Sequence, residues 1–223
     1  MLYALAAPTS FALLLVGFLL AVALHGWVQA LAAARAGETA PRAEQRLRPD
    51  PRRHVDPFGL LGAAVSGTGW ARQTELTRRR TAAQQAPVLL AGTAANLVLG
   101  LALLAGYRLA GGPPVEGTLL ALQRGVAGLD VGLLALYLLG LSNVAVAALS
   151  LVPVPPLPGG RLLLAAGPTT RGWQQARYRL VEQNIGTAVL LALLLIPLGG
   201  PQPLLPTVLD SLLVPALRPV LGG

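Results

Sequence analysis

Leu24-His25-Gly26-Trp27-Val28-Gln29 lies late in an apolar run that carries no charged side chain before Arg35. The run exceeds the roughly 20 apolar residues that a helix needs to cross a bilayer. Helical geometry puts His25 and Gln29, four apart, on one face and turns Gly26 away from it. An imidazole and an amide therefore share one stripe of a helix that is otherwise apolar.

The rest of the chain belongs with that helix. Of 223 residues, 54% are hydrophobic and 12% charged, with a mean hydropathy of +0.62. Ordinary soluble domains carry about twice that share of charge, so the composition identifies an all-α polytopic membrane protein. There is no cysteine, which excludes disulfides and thiolate metal sites. All 17 basic residues are arginine and the net charge is +8. In a membrane protein such charge encodes topology, so no nucleic-acid partner is expected. The first apolar run lacks a basic leader and is too long for a signal-peptide core, so it is expected to stay as a span.

Four apolar segments read as spans, at about 10–34, 86–107, 131–152 and 184–198. A fifth at 204–217 is shorter, carries Asp210 and contains Pro206 and Pro215. Spanning with tilt, re-entry and an interfacial position all remain open for it. The chain reads as one membrane domain over 1–223, with loops at 35–85 and 153–183. The first loop holds ten arginines against five acids, the 108–130 loop two of each, and the 153–183 loop four arginines against Glu182. Basic, neutral, basic places the first and third loops in the cytoplasm and the N-terminus outside. Arg78-Arg79-Arg80 reads as a cytoplasmic anchor before the second span. Leu60–Trp70, with Gly62, Gly67 and Gly69, is too short to span and reads as a hairpin or re-entrant piece packed on the bundle.

Further motifs follow in order: His54-Val55-Asp56-Pro57-Phe58-Gly59, Gly69-Trp70-Ala71-Arg72 and Ala91-Gly92-Thr93-Ala94-Ala95-Asn96. The last is Ser150-Leu151-Val152-Pro153-Val154-Pro155-Pro156-Leu157-Pro158-Gly159-Gly160. Together with His25–Gln29, these resemble the site-2 protease family of intramembrane zinc metalloproteases in its short bacterial form. Members of that family carry His-Glu-x-x-His on a first core helix, then His-x-Asp-Pro and Gly-Trp-Ala turns. A helix opening Ala-Gly-Pro-x-x-Asn follows, and then a proline-rich Leu-Asp-Gly-Gly segment. The resemblance implies a helical bundle of four to five transmembrane helices with a short re-entrant or hairpin segment, in a bacterial inner (plasma) membrane.

The same alignment implies a degenerate member. The family's zinc is held by two histidines of the first motif and the aspartate of the last. Here only His25 remains, with Gln29 at the second histidine, Pro158 at the aspartate and Gly26 at the general base. A catalytic zinc takes about three protein ligands and an open position, and activating its water takes a base. Glutamine is a poor ligand, while proline and glycine offer none. The expectation is therefore a pseudoprotease with no metal and no catalytic residue. His25 is expected to be vestigial, hydrogen-bonded to Gln29 or to a backbone carbonyl.

The alternative is an active zinc protease with a rearranged site built from His25, His54 and Asp56. Against it, His54 and Asp56 also suit side-chain-to-backbone bonds that shape the turn before Pro57. Asn96 and Asn143 are candidates for a peptide or partner groove, or for links between helices. Pro153, Pro155 and Pro156 are expected to end the third helix in an extended segment that presents Pro158 and a Gly159-Gly160 turn. The expected partner is a transmembrane helix of another membrane protein, or a membrane complex, alongside the lipid bilayer.

Overall fold

The computed structural model describes residues 2–76, 81–114, 128–197 and 203–221. The chain starts with a short 3₁₀ turn, Leu2–Ala6, that leads into α1, Pro8–Arg35. Pro8 opens α1 at a position whose N–H would have no helical partner. Two single-turn helices follow, α2 (Ala40–Ala43) and α3 (Pro51–His54), and then α4 (Pro57–Ser66). The long helices α5 (Ala82–Leu109) and α6 (Val131–Ser150) come next. Thr81 and Gln84 start α5 with reciprocal side-chain-to-backbone bonds, and Asp130 caps α6 through the Gly132 N–H. The remainder is α7 (Pro158–Ala166), α8 (Arg171–Arg177, continued by a wider turn over Tyr178–Glu182), α9 (Ile185–Leu195) and α10 (Leu204–Leu221).

The protein is helical, and the only β feature among the described residues is one antiparallel bridge between Val55 and Ala71. Four helices, α1, α5, α6 and α10, are long and apolar enough to cross a membrane. A fifth crossing exists if α8 and α9 count as one element, which bends by 66° at Asn184. Asn184 itself is left-handed, with φ of 55°. Alone, the 11 residues of α9 reach roughly 16 Å, about half of the hydrocarbon thickness. The last two apolar segments, one read as a span and the other left open, differ in length. The segment 184–198 yields a short helix, and the proline-containing one yields an unbroken helix of 18 residues. Pro206 falls in the first turn of α10, where no intrahelical N–H bond is lost, and Pro215 is carried inside the helix.

The centre is α1, α5 and α6, packed on one another along their length. Small residues allow this approach, as helices in lipid require. A Cβ on Gly100 of α5 would lie 2.7 Å from Val144 Cγ2 and 2.9 Å from the Gly140 carbonyl oxygen of α6. One on Gly17 of α1 would lie 2.9 Å from Ser142 Oγ. Large apolar side chains fill the space between, including Leu14, Phe18, Leu104, Leu138 and Leu141.

The segment read as a hairpin is one. Helix α4 ends at left-handed Gly67 (φ 86°), and the chain returns along it to pair Ala71 with Val55. The two passes cross at Gly59 and Gly69, each pressed so close to the opposing backbone that no Cβ fits. Trp70, 2% exposed, packs its ring over Gly62 beside Leu194 of α9. Arg78-Arg79-Arg80 lies outside the described residues.

Candidate functional site

His25 and Gln29 are both enclosed, at 1% and 0% exposure. His25 faces α5 at Gly92. A Cβ at position 92 would press on the His25 carbonyl and approach the ring Cδ2 to 2.8 Å. Glycine is therefore what lets α5 pass over the imidazole. Neither ring nitrogen of His25 has a hydrogen-bond partner. This corrects the expected bond to Gln29 or a carbonyl. The Gln29 amide is taken up elsewhere: its Oε1 accepts from the Thr74 N–H at 3.0 Å. Its Nε2 donates to the Leu89 carbonyl and to Gln73 Oε1, both at 3.2 Å. Sharing a helix face did not bring the two side chains together, because the returning chain after Ala71 offered Gln29 better partners.

Gly26 looks the other way, onto His54 of α3. A Cβ built on Gly26 would stand 2.6 Å from His54 Nδ1 and 2.9 Å from its Cβ. The space a residue-26 side chain would enter is filled by the His54 ring. His54 is itself 0% exposed, and burial, the largest influence, lowers its pKa from the usual histidine value. Its Nε2 is 2.9 Å from the Arg48 carbonyl, an acceptor, so Nε2 carries the proton and Nδ1 is the lone pair turned towards Gly26. Asp56 caps α4, with Oδ1 accepting from the Phe58 and Gly59 N–H groups at 2.9 Å each. His25, His54 and Asp56 thus serve three places: the α5 interface, the Gly26 face and a helix cap. Among the described residues no group of three or more His, Cys, Asp or Glu is arranged to hold a metal ion.

A further polar cluster is one that the residue types alone did not disclose. The chain from Ala71 to Leu76 runs beside α1, and side chains hold its backbone groups. Arg46, 1% exposed, donates from Nη2 to the Arg72 carbonyl at 2.6 Å and from Nη1 to the Gln73 carbonyl at 3.0 Å. Arg161 of α7 donates to the Thr74 carbonyl at 2.6 Å. Gln29 holds the Thr74 N–H, so α1 and α7 meet on the two sides of one peptide residue. Burial pushes the Arg46 pKa down to about 10, which leaves it a cation at neutral pH, and burial also lowers that of Arg161. Glu44 lies 3.9 Å from Arg46 and 3.3 Å from Arg72. In the sequence, Arg46 and Arg161 counted among the arginines of the 35–85 and 153–183 loops, and no signal set them apart.

Pro158 is buried at the start of α7, where its ring fixes the first turn. The approach to it differs from the expected extended segment. Residues 151–157 make successive turns, with bonds such as Val152 N–H to Leu149 and Leu157 N–H to Val154, and the Pro155–Pro156 peptide is cis. Gly159 and Gly160 belong to α7 and lie against the backbone of Leu151 and Val154, instead of forming a turn. Tight packing of this helix onto the preceding turns leaves no room for an extended strand.

Asn96 and Asn143 face the bundle interior, at 0% and 2% exposure. Asn96 Nδ2 donates across to the Ala21 carbonyl of α1 at 3.1 Å, and Asn143 Nδ2 to the Leu139 carbonyl in its own helix at 2.9 Å. Asn96 thus links α5 to α1, and Asn143 bonds within its own helix.

The family's zinc does not fit the residues at its three positions. His25 offers free ring nitrogens, but the Gln29 amide is a poor ligand already engaged with Thr74, Leu89 and Gln73, and Pro158 has no donor atom. The position of the base has neither a side chain nor room for one.

Comparison with known proteins gives a Bacillus subtilis (strain 168) protein named "Putative zinc metalloprotease YwhC". The two are 27% identical over 197 residues, covering 84% of this chain and 82% of the relative. No family model matches the chain, and no solved structure matches it.

Proposed function

We propose that this chain is a site-2-protease-like integral membrane protein that binds a partner without cutting it, a pseudoprotease serving as a subunit of a membrane complex. The partner class is a transmembrane helix of another membrane protein. The proposed location is a bacterial inner membrane with the N-terminus outside. The observation that carries the reading is the His54 ring packed on Gly26, together with the Gln29 amide spent on Thr74, Leu89 and Gln73. Losing the base and two ligands removes groups that act as a unit in such chemistry. The remaining space has been filled by other side chains. Similarity to a protein named as a zinc metalloprotease supports the ancestry, and the occupied base position supports the loss of activity.

A second reading keeps an active zinc enzyme with a rearranged site. It is favoured by the buried, unpartnered nitrogens: both of His25, and Nδ1 of His54. Buried polar atoms without partners are uncommon in proteins and call for a reason.

Zinc per chain in detergent-purified protein separates the two. A ratio near zero is expected; a ratio near one that His25→Ala abolishes would establish the second reading. Back-substitution tests the ancestry separately. Gly26→Glu alone is expected to destabilise the protein by about 1–3 kcal/mol, because the new side chain overlaps His54. Adding His54→Ala should relieve most of that loss. The combination of His54→Ala, Gly26→Glu, Gln29→His and Pro158→Asp is then expected to bind zinc, and failure to bind would count against a protease-derived frame.

A further inference from the structure

The turn between α2 and α3 has a form that the reading above does not use. Gln45 is left-handed, with φ of 54°, and reverses the chain after α2. The reversal sends Arg46 into the interior and leaves Arg42 and Arg48 at the surface. Two side chains from other elements then pin the backbone in place. Trp27 Nε1 of α1 donates to the Leu47 carbonyl at 3.0 Å, and His54 Nε2 donates to the Arg48 carbonyl at 2.9 Å. The result is a cavity of about 450 Å³ lined by Arg42, Gln45, Leu47 and Arg48. The flanking acids are engaged elsewhere: Glu44 with Arg46 and Arg72, and Asp50 with Arg53 at 3.6 Å.

Its depth is set by the Trp27 bond. Trp27 lies about two helical turns before Arg35, the first charged residue of the chain. An α1 of 28 residues is roughly 42 Å long, against about 30 Å of hydrocarbon, so its end extends into the headgroup layer. The Leu47 carbonyl is tied back to that stretch, and the pocket lies at the same level. Guanidinium groups present paired donors that match phosphate oxygens, and at a membrane surface each adds attraction for anionic lipid.

We propose that this pocket binds the phosphate group of an anionic ligand, with the headgroup of an anionic phospholipid and a soluble phosphate compound as the two sources to be separated. The proposal is independent of whether the protein cuts peptides. Gln45 adds an amide donor for a further phosphate oxygen, and Leu47 gives the cavity an apolar wall suited to the glycerol end of a lipid.

The test uses the full-length protein in detergent. One arm equilibrates it with phosphatidylglycerol or with phosphatidylcholine of the same acyl chains and measures retained lipid by native mass spectrometry. The other titrates it calorimetrically with inorganic phosphate. Arg42→Gln/Arg48→Gln is compared with Arg171→Gln/Arg179→Gln, which removes the same charge from exposed positions elsewhere. Preferential retention of phosphatidylglycerol is expected, reduced about tenfold by the first pair and not by the second. If inorganic phosphate binds with the same dependence on Arg42 and Arg48 and no lipid preference is seen, a soluble phosphate compound is the ligand. Equal loss in both double variants, or no loss in either arm, overturns the site. Arg42→Lys/Arg48→Lys keeps the charge but loses the paired donors. Its binding should fall severalfold at an unchanged melting temperature, which separates recognition from folding.

Discussion

The apolar centre and the polar end of this bundle are held together by different means. In the centre, α1, α5 and α6 meet over Gly17, Gly100 and Gly140, with leucine and phenylalanine filling the gaps. Close approach does the work there, and few polar atoms are involved. At the end where α1 meets the returning chain 71–76, Arg46 and Arg161 donate to specific backbone carbonyls and Gln29 accepts from the Thr74 N–H. Close packing tolerates some exchange of apolar groups, whereas a directional bond to one carbonyl does not. The polar end is a joint in which side chains from distant elements hold one stretch of backbone.

The largest effect is expected from crowding the centre. Gly100→Leu would push on the Gly140 carbonyl and on Val144, and should lower stability by about 3 kcal/mol, read by thermal unfolding in detergent. A mild loss would mean that the helices slide apart easily, and the contrast with the polar end would weaken. Next comes Arg46→Met, which keeps the bulk but strips two carbonyls of their donor. About 2–3 kcal/mol should be lost in the same assay.

Gln29→Leu leaves the Thr74 N–H without its acceptor and should cost about 1–2 kcal/mol. Faster hydrogen exchange at the Thr74 amide, with the α5–α6 amides unchanged, would localise that loss to the joint. Asn96→Ala removes one interhelical bond within the centre and should cost only about 0.6 kcal/mol. A loss as large as that of Arg46→Met would show that the centre also depends on polar contacts.

The smallest effect concerns pH. The pKa of His54 is lowered in the folded state, so unfolded chains bind the extra proton more readily. Its contribution to stability is complete above the unfolded value of about 6.5 and is lost as pH falls from there through the folded pKa. Wild-type protein should therefore lose more stability than His54→Gln between pH 7.5 and pH 5. Equal slopes would mean that His54 does not report on the joint.

Much of this was legible in advance, and for identifiable reasons. Unbroken apolar runs at 10–34, 86–107 and 131–152 became α1, α5 and α6, since a run of that length in lipid must satisfy its own backbone. The hairpin was legible from Gly62, Gly67 and Gly69 in a stretch too short to span, whereas the close pass at Gly59 was not. Composition left the form of α9 and α10 open. Hydropathy does not register the bend at Asn184, and proline in a first turn does not break a helix. At the candidate site, residue types revealed which groups were missing but not what had replaced them. His54 is 28 positions from Gly26, and Arg161 is 87 from Thr74, so no local pattern links either pair.

Local composition and the atoms each side chain owns were enough to fix a membrane bundle, its principal helices, and the donor atoms present at positions 25, 26, 29 and 158. It took packing to leave His25 unbonded under α5, to fill the Gly26 face with His54, and to bring buried Arg46 and part-buried Arg161 onto the returning chain. Those outcomes depend on which distant groups arrive within about 3 Å of one another, and that is fixed by packing.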